Sequence, residues 1–136
     1  MHLDDAPMAE VGDMFASRSK SNFILRALIA RLIGFGESER FIPDALLEDG
    51  SALLEYGLEA RVAWIPGHSK GSIGILTADG HFFCGDLLDN TKKPTLNFRY
   101  DRDTAIRSAA NLRSLNIGKV HPGHGKPFSM DQLPGG

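Results

Sequence analysis

Apolar residues recur at helical spacing in two parts of the chain. In residues 21–33 they lie on one face of an amphipathic helix, and Gly34 provides its end. In residues 103–115, Asp103 can cap a second helix of the same kind. The apolar positions are Ile24, Leu25, Leu28, Ile29 and Leu32 in the first helix, and Ala105, Ile106, Ala109, Ala110 and Leu112 in the second.

Between and after these helices, short segments bounded by turn residues predict strands. Residues 45–48 and 51–55 flank an Asp49-Gly50 turn, which indicates a hairpin. Three further strands are predicted at residues 58–65, 72–77 and 81–84, and a last one at 119–121. Both helices and strands are therefore predicted along the chain.

Length and charge limit the classes of protein. A chain of 136 residues suits a single domain, expected to span residues 1–136. Fifteen Lys and Arg against seventeen Asp and Glu leave a net charge of -2, so nucleic acid is not the expected partner. The single cysteine, Cys84, cannot form an internal disulfide, which suits a reducing compartment and favours the cytoplasm.

No membrane partner is expected either. The longest apolar stretch, residues 23–35, contains Arg26 and Arg31 and is shorter than the roughly 20 residues that a spanning helix needs. Both arginines are interpreted as the solvated side of the first helix. Residues 1–5 carry acids where a secretory signal has basic residues, so no export signal is predicted.

Three segments each place a potential metal ligand beside glycine at the end of a predicted strand. They are I-P-G-H-S-K-G-S at residues 65–72 with His68, F-F-C-G-D at 82–86 with Asp86, and V-H-P-G-H-G at 120–125 with His124. Imidazole nitrogens and carboxylate oxygens both bind zinc. Taken singly, a histidine or aspartate in a glycine turn more often caps a helix or bonds a backbone amide.

Taken together and in order, the three segments resemble the second half of the metallo-β-lactamase superfamily. That half contains a P-G-H-(S/T)-x-G-S turn, a G-D pair after an apolar strand, and a terminal G-H-G. Residues 46–50 also match the hairpin that precedes the first turn, and residues 103–115 match the helix before the last. The resemblance therefore covers most of the chain.

This resemblance implies an α/β fold, half of an αββα sandwich with a mixed β-sheet and flanking helices, and a metal pair at one edge. His68 would bind the first metal, His124 the second, and Asp86 would bridge both and orient the attacking water. Zinc is the expected metal, although iron and manganese suit the same ligands. The implied activity is hydrolysis of a small-molecule thioester, lactone or phosphoester by a metal-activated water.

The sequence departs from the family at its main ligand motif. The H-x-H-x-D-H segment of the family's first half is absent, and the five histidines show no H-x-H spacing. Residues 1–14 instead resemble the segment that follows that motif, so His2 is interpreted as structural. The chain is thus expected to be a truncated, carboxyl-terminal portion of the fold, with weak or no metal binding by itself, because a closed zinc site needs about four ligands.

Half of a sandwich exposes the sheet face that the other half would cover. Large apolar faces of this kind favour a partner, and a homodimer that buries the face is expected. This gives an alternative function, a non-catalytic, metal-poor domain that associates with itself. An in-frame H-x-H-x-D-H upstream of the Met1 codon would favour the enzyme, whereas a stop codon would favour the alternative.

Four other residues could carry chemistry. His121 is interpreted as locally hydrogen-bonded, Cys84 as a small apolar residue in a strand, and His81 as solvent-facing. Lys70 follows His68 and could contact an anionic substrate, but an exposed lysine is usually just solvated.

Overall fold

The computed structural model describes residues 1–12 and 40–133. Two α-helices lie in these ranges, α1 (Ala6–Val11) and α2 (Arg102–Leu112). The strands are β1 (Ala60–Trp64), β2 (Ile73–Thr77), β3 (His81–Asn90), β4 (Thr95–Leu96), β5 (Lys119–Gly125) and β6 (Phe128–Ser129). Short 3-10 turns occupy Leu54–Tyr56 and Met130–Gln132.

The six strands form one mixed sheet in the order β1-β2-β3-β5-β6, with β4 paired to β3. All neighbours are antiparallel except β3 and β5, which run parallel. A parallel pair needs a long crossover, and α2 lies in the connection from β3 to β5. The α/β class and the mixed sheet predicted from the sequence are confirmed.

The sheet has two different faces because successive side chains of a strand point in opposite directions. On one face Phe82, Cys84 and Val120 pack against Ala105 and Leu112 of α2 to form the main core. On the other face Ile75 pairs with Phe83, which pairs with His121 on β5. Trp64 of β1 is stacked there against His2, with ring centroids 5.5 Å apart.

The hairpin predicted at residues 45–55 is wrong, although the Asp49-Gly50 turn is present. The two segments pair with other parts of the chain: the Leu47 amide donates to Met1, and the Leu53 amide donates to Ala60. The apolar residues of the two segments fit this placement equally well, because they show which side chains can be buried and not which part of the chain is the partner.

Strands β1 and β2 confirm the predictions at residues 58–65 and 72–77, with slightly shorter bounds. Strands β3 and β5 extend well beyond the predicted residues 81–84 and 119–121. Glycine-containing stretches that suggested loops are held in the sheet by the parallel β3–β5 pairing, with register shifts on either side of Gly85. Asp86 and His124 therefore lie within strands rather than in loops after them.

The predicted second helix is confirmed as α2, but Asp103 is not its cap. Asp101 has extended backbone angles, and its carboxylate accepts a hydrogen bond of 2.7 Å from the Thr104 amide. Asp103 lies one residue inside the first turn. Both aspartates are typical of the start of a helix, so only the backbone angles of the folded chain show which of them is the N-cap.

Replacing Asp101 with alanine is expected to lower the melting temperature by a few degrees, because one amide of the first turn of α2 loses its acceptor. The bond to Thr104 also holds the pKa of Asp101 below its usual value. Its stabilising effect is therefore complete above the ordinary aspartate pKa and is lost as the pH falls through the lowered value. Thermal unfolding of Asp103→Ala provides the control, and an equal loss in that variant would contradict the assignment.

The helix predicted at residues 21–33, with Arg26, Arg31 and Gly34, lies outside the described residues. Within residues 1–12 and 40–133, neither helix has the length and apolarity needed to cross a lipid bilayer.

Candidate metal centre

His68 lies in the turn between β1 and β2, and α2 holds the start of this turn. The buried Ser108 hydroxyl donates a 2.7 Å hydrogen bond to the Pro66 carbonyl. Gly67 packs so closely on α2 that a Cβ built on it would lie 2.5 Å from the Cβ of Ala105, and its φ of 146° also disfavours a side chain. The Gly67 carbonyl accepts the amides of Tyr100 and Asp101, which closes the turn against the segment before α2.

Asp86 lies on β3 directly after a glycine with positive φ. Gly85 has a φ of 51°, and the register of the β3–β5 pairing shifts there. The adjacent strand contributes Gly123, whose substitution would bring a Cβ to 2.2 Å from Asp86 Oδ1. The absence of a side chain at residue 123 therefore makes the space in which this carboxylate sits.

His124 reaches the same region from β5. The parallel pairing sets His124 opposite Asp89, three residues after Asp86 on β3. Its side chain is 62% exposed, whereas that of Asp86 is 38% exposed, so both groups are open to solvent and to a ligand.

The structure brings His68, Asp86 and His124 together, with the carboxylate between the two imidazoles. His68 Nε2 lies 3.7 Å from Asp86 Oδ2, and His124 Nε2 lies 3.6 Å from Asp86 Oδ1. These separations are too long for direct hydrogen bonds. Each carboxylate oxygen therefore faces a different imidazole without bonding to it.

The same separations fit an intervening cation. Zinc binds imidazole nitrogen and carboxylate oxygen at about 2.0–2.2 Å, so an ion would fit between the two atoms of either pair. The donor set, two imidazoles and one carboxylate, is also the one that zinc and related metals accept. Each ion would have two ligands from this set, and within residues 1–12 and 40–133 no three His, Cys, Asp or Glu side chains are arranged to hold one ion.

Asp89 is a second carboxylate near His124 that the sequence did not indicate. It accepts hydrogen bonds from the amide and hydroxyl of Thr91, at 2.9 and 2.7 Å, and these hold its pKa below the usual value. The nearby His124 lowers that pKa to a smaller extent. No local motif in the sequence indicates a role for Asp89, because its position beside His124 arises from the long-range pairing of β3 with β5.

His81 and His121 form a pair on the sheet face opposite α2. His81 Nδ1 and His121 Nε2 are 2.8 Å apart, and the ring planes differ by 19°. The centroid separation of 5.0 Å is close to the sum of the nitrogen separation and the two ring radii, so the rings meet nearly edge to edge, joined by a hydrogen bond between these nitrogens. Phe83 stacks on the His121 ring, with centroids 4.5 Å apart.

This pair corrects two expectations. His81 is not simply solvent-facing, and His121 is bonded to a residue forty positions away rather than locally. The pKa of His121 is lowered, first by burial and then by the neighbouring His81 and Lys119, so the neutral ring is favoured.

Lys70 and His2 both have defined partners. Lys70 Nζ lies 3.0 Å from the Asp4 carboxylate, which raises the pKa of the lysine. It is therefore an exposed ion pair rather than a merely solvated lysine. His2 Nδ1 accepts the Asp4 amide at 3.1 Å, which agrees with the structural role predicted for this histidine.

Cys84 packs as the small apolar residue that was predicted, with 1% of its surface exposed. Burial raises the pKa of its thiol to about 11. Because the thiolate is the reactive form, the thiol stays protonated and inert throughout the neutral range.

Native protein is therefore expected to resist alkylation by iodoacetamide at pH 8, whereas urea-unfolded protein should be labelled at the rate of a free cysteine. Mass spectrometry of quenched samples measures both rates. Rapid labelling of the native chain would contradict the buried position of Cys84.

Comparison with solved structures gives the wider context of this geometry. The di-iron-bound form of TTHA1623 matches with a TM-score of 0.70 and 26% identity, covering 98% of this chain and 62% of that protein. The metallo-β-lactamase family protein TTHA1429 from Thermus thermophilus matches with a TM-score of 0.61 and 24% identity, covering 97% and 48%. For the BLEG-1 B3 metallo-β-lactamase the values are 0.64 and 19%, covering 97% and 59%.

This chain thus spans less than two thirds of the length of each of these proteins. No protein-family model matches the sequence. A search among curated proteins gives no match either.

Proposed function

We propose, from the metallo-β-lactamase superfamily fold that this chain has, that it forms part of a metal-dependent hydrolase. Its ligands would be His68 for one ion, His124 for a second, and Asp86 as the bridge between them. The observation that carries this proposal is the position of the Asp86 carboxylate, which turns one oxygen toward each imidazole at 3.7 and 3.6 Å. The two irons of TTHA1623 support a pair of ions as the metal content.

A bound cation pair would acidify a shared water and polarise the carbonyl or phosphoryl oxygen of the substrate. The residues of this chain have simpler tasks. The imidazoles supply uncharged nitrogen donors, and the exposed Asp86 carboxylate accepts a hydrogen bond from the attacking water and so orients it. The proposed substrates are small thioesters, lactones or phosphoesters, and zinc is the proposed metal.

Two ligands for each ion are fewer than tight zinc sites use. We therefore expect zinc to bind this chain with a dissociation constant above the micromolar range. Isothermal titration of the purified chain with zinc measures this constant. A submicromolar value would mean that ligands beyond the three proposed residues complete the site.

Catalysis is tested with the protein encoded by the complete reading frame and a panel of thioesters, lactones and phosphodiesters. Zinc-dependent hydrolysis of one class, lost in the His68→Ala and Asp86→Ala variants, is the expected result. Hydrolysis that persists in both variants would contradict the proposed ligands.

The sheet face opposite α2 favours a second candidate function, self-association without catalysis. Phe83 on this face is 46% exposed, beside the ring of His121. A second copy of the chain that covers Phe83 would remove this apolar surface from water. Sedimentation velocity across a concentration series tests the homodimer, and a monomer at the highest concentration would count against it.

A further inference from the structure

We propose that Asp5 is a positioning residue for His68, which it holds in place by anchoring the turn that follows the histidine. The inference rests on the proposed metal site, in which His68 must meet Asp86 across an ion. It adds a residue from the first ten positions, where no ligand motif was found.

Both oxygens of the Asp5 carboxylate bond to this turn. Asp5 Oδ2 accepts the Ser69 hydroxyl at 2.5 Å, and Asp5 Oδ1 accepts the Gly71 amide at 2.9 Å. These partners lie on either side of Lys70 and more than sixty residues from Asp5 in the sequence. Hydrogen bonds to an ionised acceptor are about twice as strong as neutral ones, so the turn is fixed at two points.

The turn passes this restraint to His68. The Ser69 amide donates to Ser72 Oγ at 2.9 Å, and the Ser69 carbonyl accepts the Gly67 amide at 3.0 Å. Ser69 therefore ties together the residues before and after His68, and its hydroxyl connects this network to Asp5. The Ser108 bond holds the turn from the α2 side, so His68 lies between two anchors.

The close fit of the carboxylate against the turn indicates a specific contact. A Cβ on Gly71 would lie 2.7 Å from Asp5 Cγ and 2.7 Å from the Asp5 amide nitrogen, so the turn accepts Asp5 only because residue 71 is glycine. Asp5 also stands at the N-cap of α1, where an aspartate usually bonds to its own helix. Here its side chain makes no cap hydrogen bond and reaches the turn instead.

Asp4 provides a matched control. It is the preceding acid and pairs with Lys70 in the same turn, but through an exposed side-chain contact at 3.0 Å that leaves the turn backbone untouched. An exposed ion pair of this kind contributes little to structure. Replacing Asp4 therefore changes the charge near the turn but leaves the hydrogen bonds that hold the turn in place.

The experiment compares Asp5→Ala, Asp5→Asn and Asp4→Asn in the full chain by NMR, with His124 as an internal reference. Without metal, we expect Asp5→Ala to speed amide exchange of Gly71 by at least about tenfold and to broaden the ring signals of His68 but not those of His124. Asp5→Asn, which keeps an acceptor oxygen, should restore most of the protection, and Asp4→Asn should match the wild type.

The second part is a zinc titration followed at the same ring signals. Asp5→Ala should raise the midpoint for His68 by about tenfold, as for other residues that orient ligands, and leave that of His124 nearly unchanged. A purely structural role would move both histidines alike, and that result, or unchanged exchange at Gly71, would overturn the inference. If zinc moves neither histidine in the wild type, the metal site fails, and the metal-free measurements still decide the role of Asp5.

Discussion

Replacing Phe82 with alanine is expected to lower the free energy of unfolding by about 3–5 kcal/mol. Phe82 is completely buried at the centre of the core between the sheet and α2. Its ring lies over Gly74, where an added Cβ would come within 2.3 Å of Phe82 Cζ, so the neighbouring backbone leaves no free space around the ring. Removing the ring leaves a cavity that this packing cannot fill. Urea denaturation followed by circular dichroism gives the free energy.

The next residue serves as the control. Phe83 points to the opposite face and is 46% exposed, so Phe83→Ala should cost about 1 kcal/mol, mainly the stacking on His121. Phe82→Leu, which keeps most of the volume, provides a measurable variant if the alanine protein does not fold. A loss for Phe83→Leu as large as that for Phe82→Leu would contradict the assignment of the two faces.

Replacing Asp86 with alanine is expected to weaken zinc binding at both histidines by more than about 100-fold, since even residues that only orient ligands change affinity by 10–100-fold. The reason is geometric: each carboxylate oxygen faces a different imidazole, so one substitution removes a ligand from both proposed ions. Zinc titrations followed at the NMR ring signals of His68 and His124 measure the affinity at each histidine. The side chain is part-exposed, so the fold should persist.

Asp89→Asn tests whether Asp86 acts as a ligand or merely as negative charge. Asp89 lies on the same strand near His124, but its oxygen Oδ1 is engaged by Thr91. Zinc affinity should change little in this variant. An equal effect of the two substitutions would mean that local charge, rather than coordination by Asp86, attracts the ion.

The sequence indicated the three residues that the structure brings together, because each has a local signature of glycine beside a histidine or aspartate; their role as ligands stays a prediction. Their convergence could not be derived from those signatures and came from the resemblance to a family. Asp5 was missed because an aspartate before a short helix normally indicates a cap, and nothing in the sequence shows that its side chain turns elsewhere. Asp101 and Asp103 were confused since both suit a helix start.

The predicted strands were wrong where the pairing partner of a segment, rather than its own hydrophobic pattern, decides the structure. Residues 45–55 contain the predicted turn but pair with Met1 and β1 instead of with each other. Strands β3 and β5 continue through glycines because each is the other's parallel neighbour. The β3–β5 pairing joins residues about forty positions apart, so no local window contains both strands.

The parallel alignment of β3 with β5 also determines when the candidate centre can exist during folding. Asp86 and His124 belong to strands that pair only after the chain has closed a loop containing β4 and α2. Closing this loop costs chain entropy before the contacts between the two strands can form. His68, on the turn between the earlier hairpin strands β1 and β2, can acquire its local conformation sooner. The three candidate ligands are thus expected to come together late in folding, after β3 and β5 have paired.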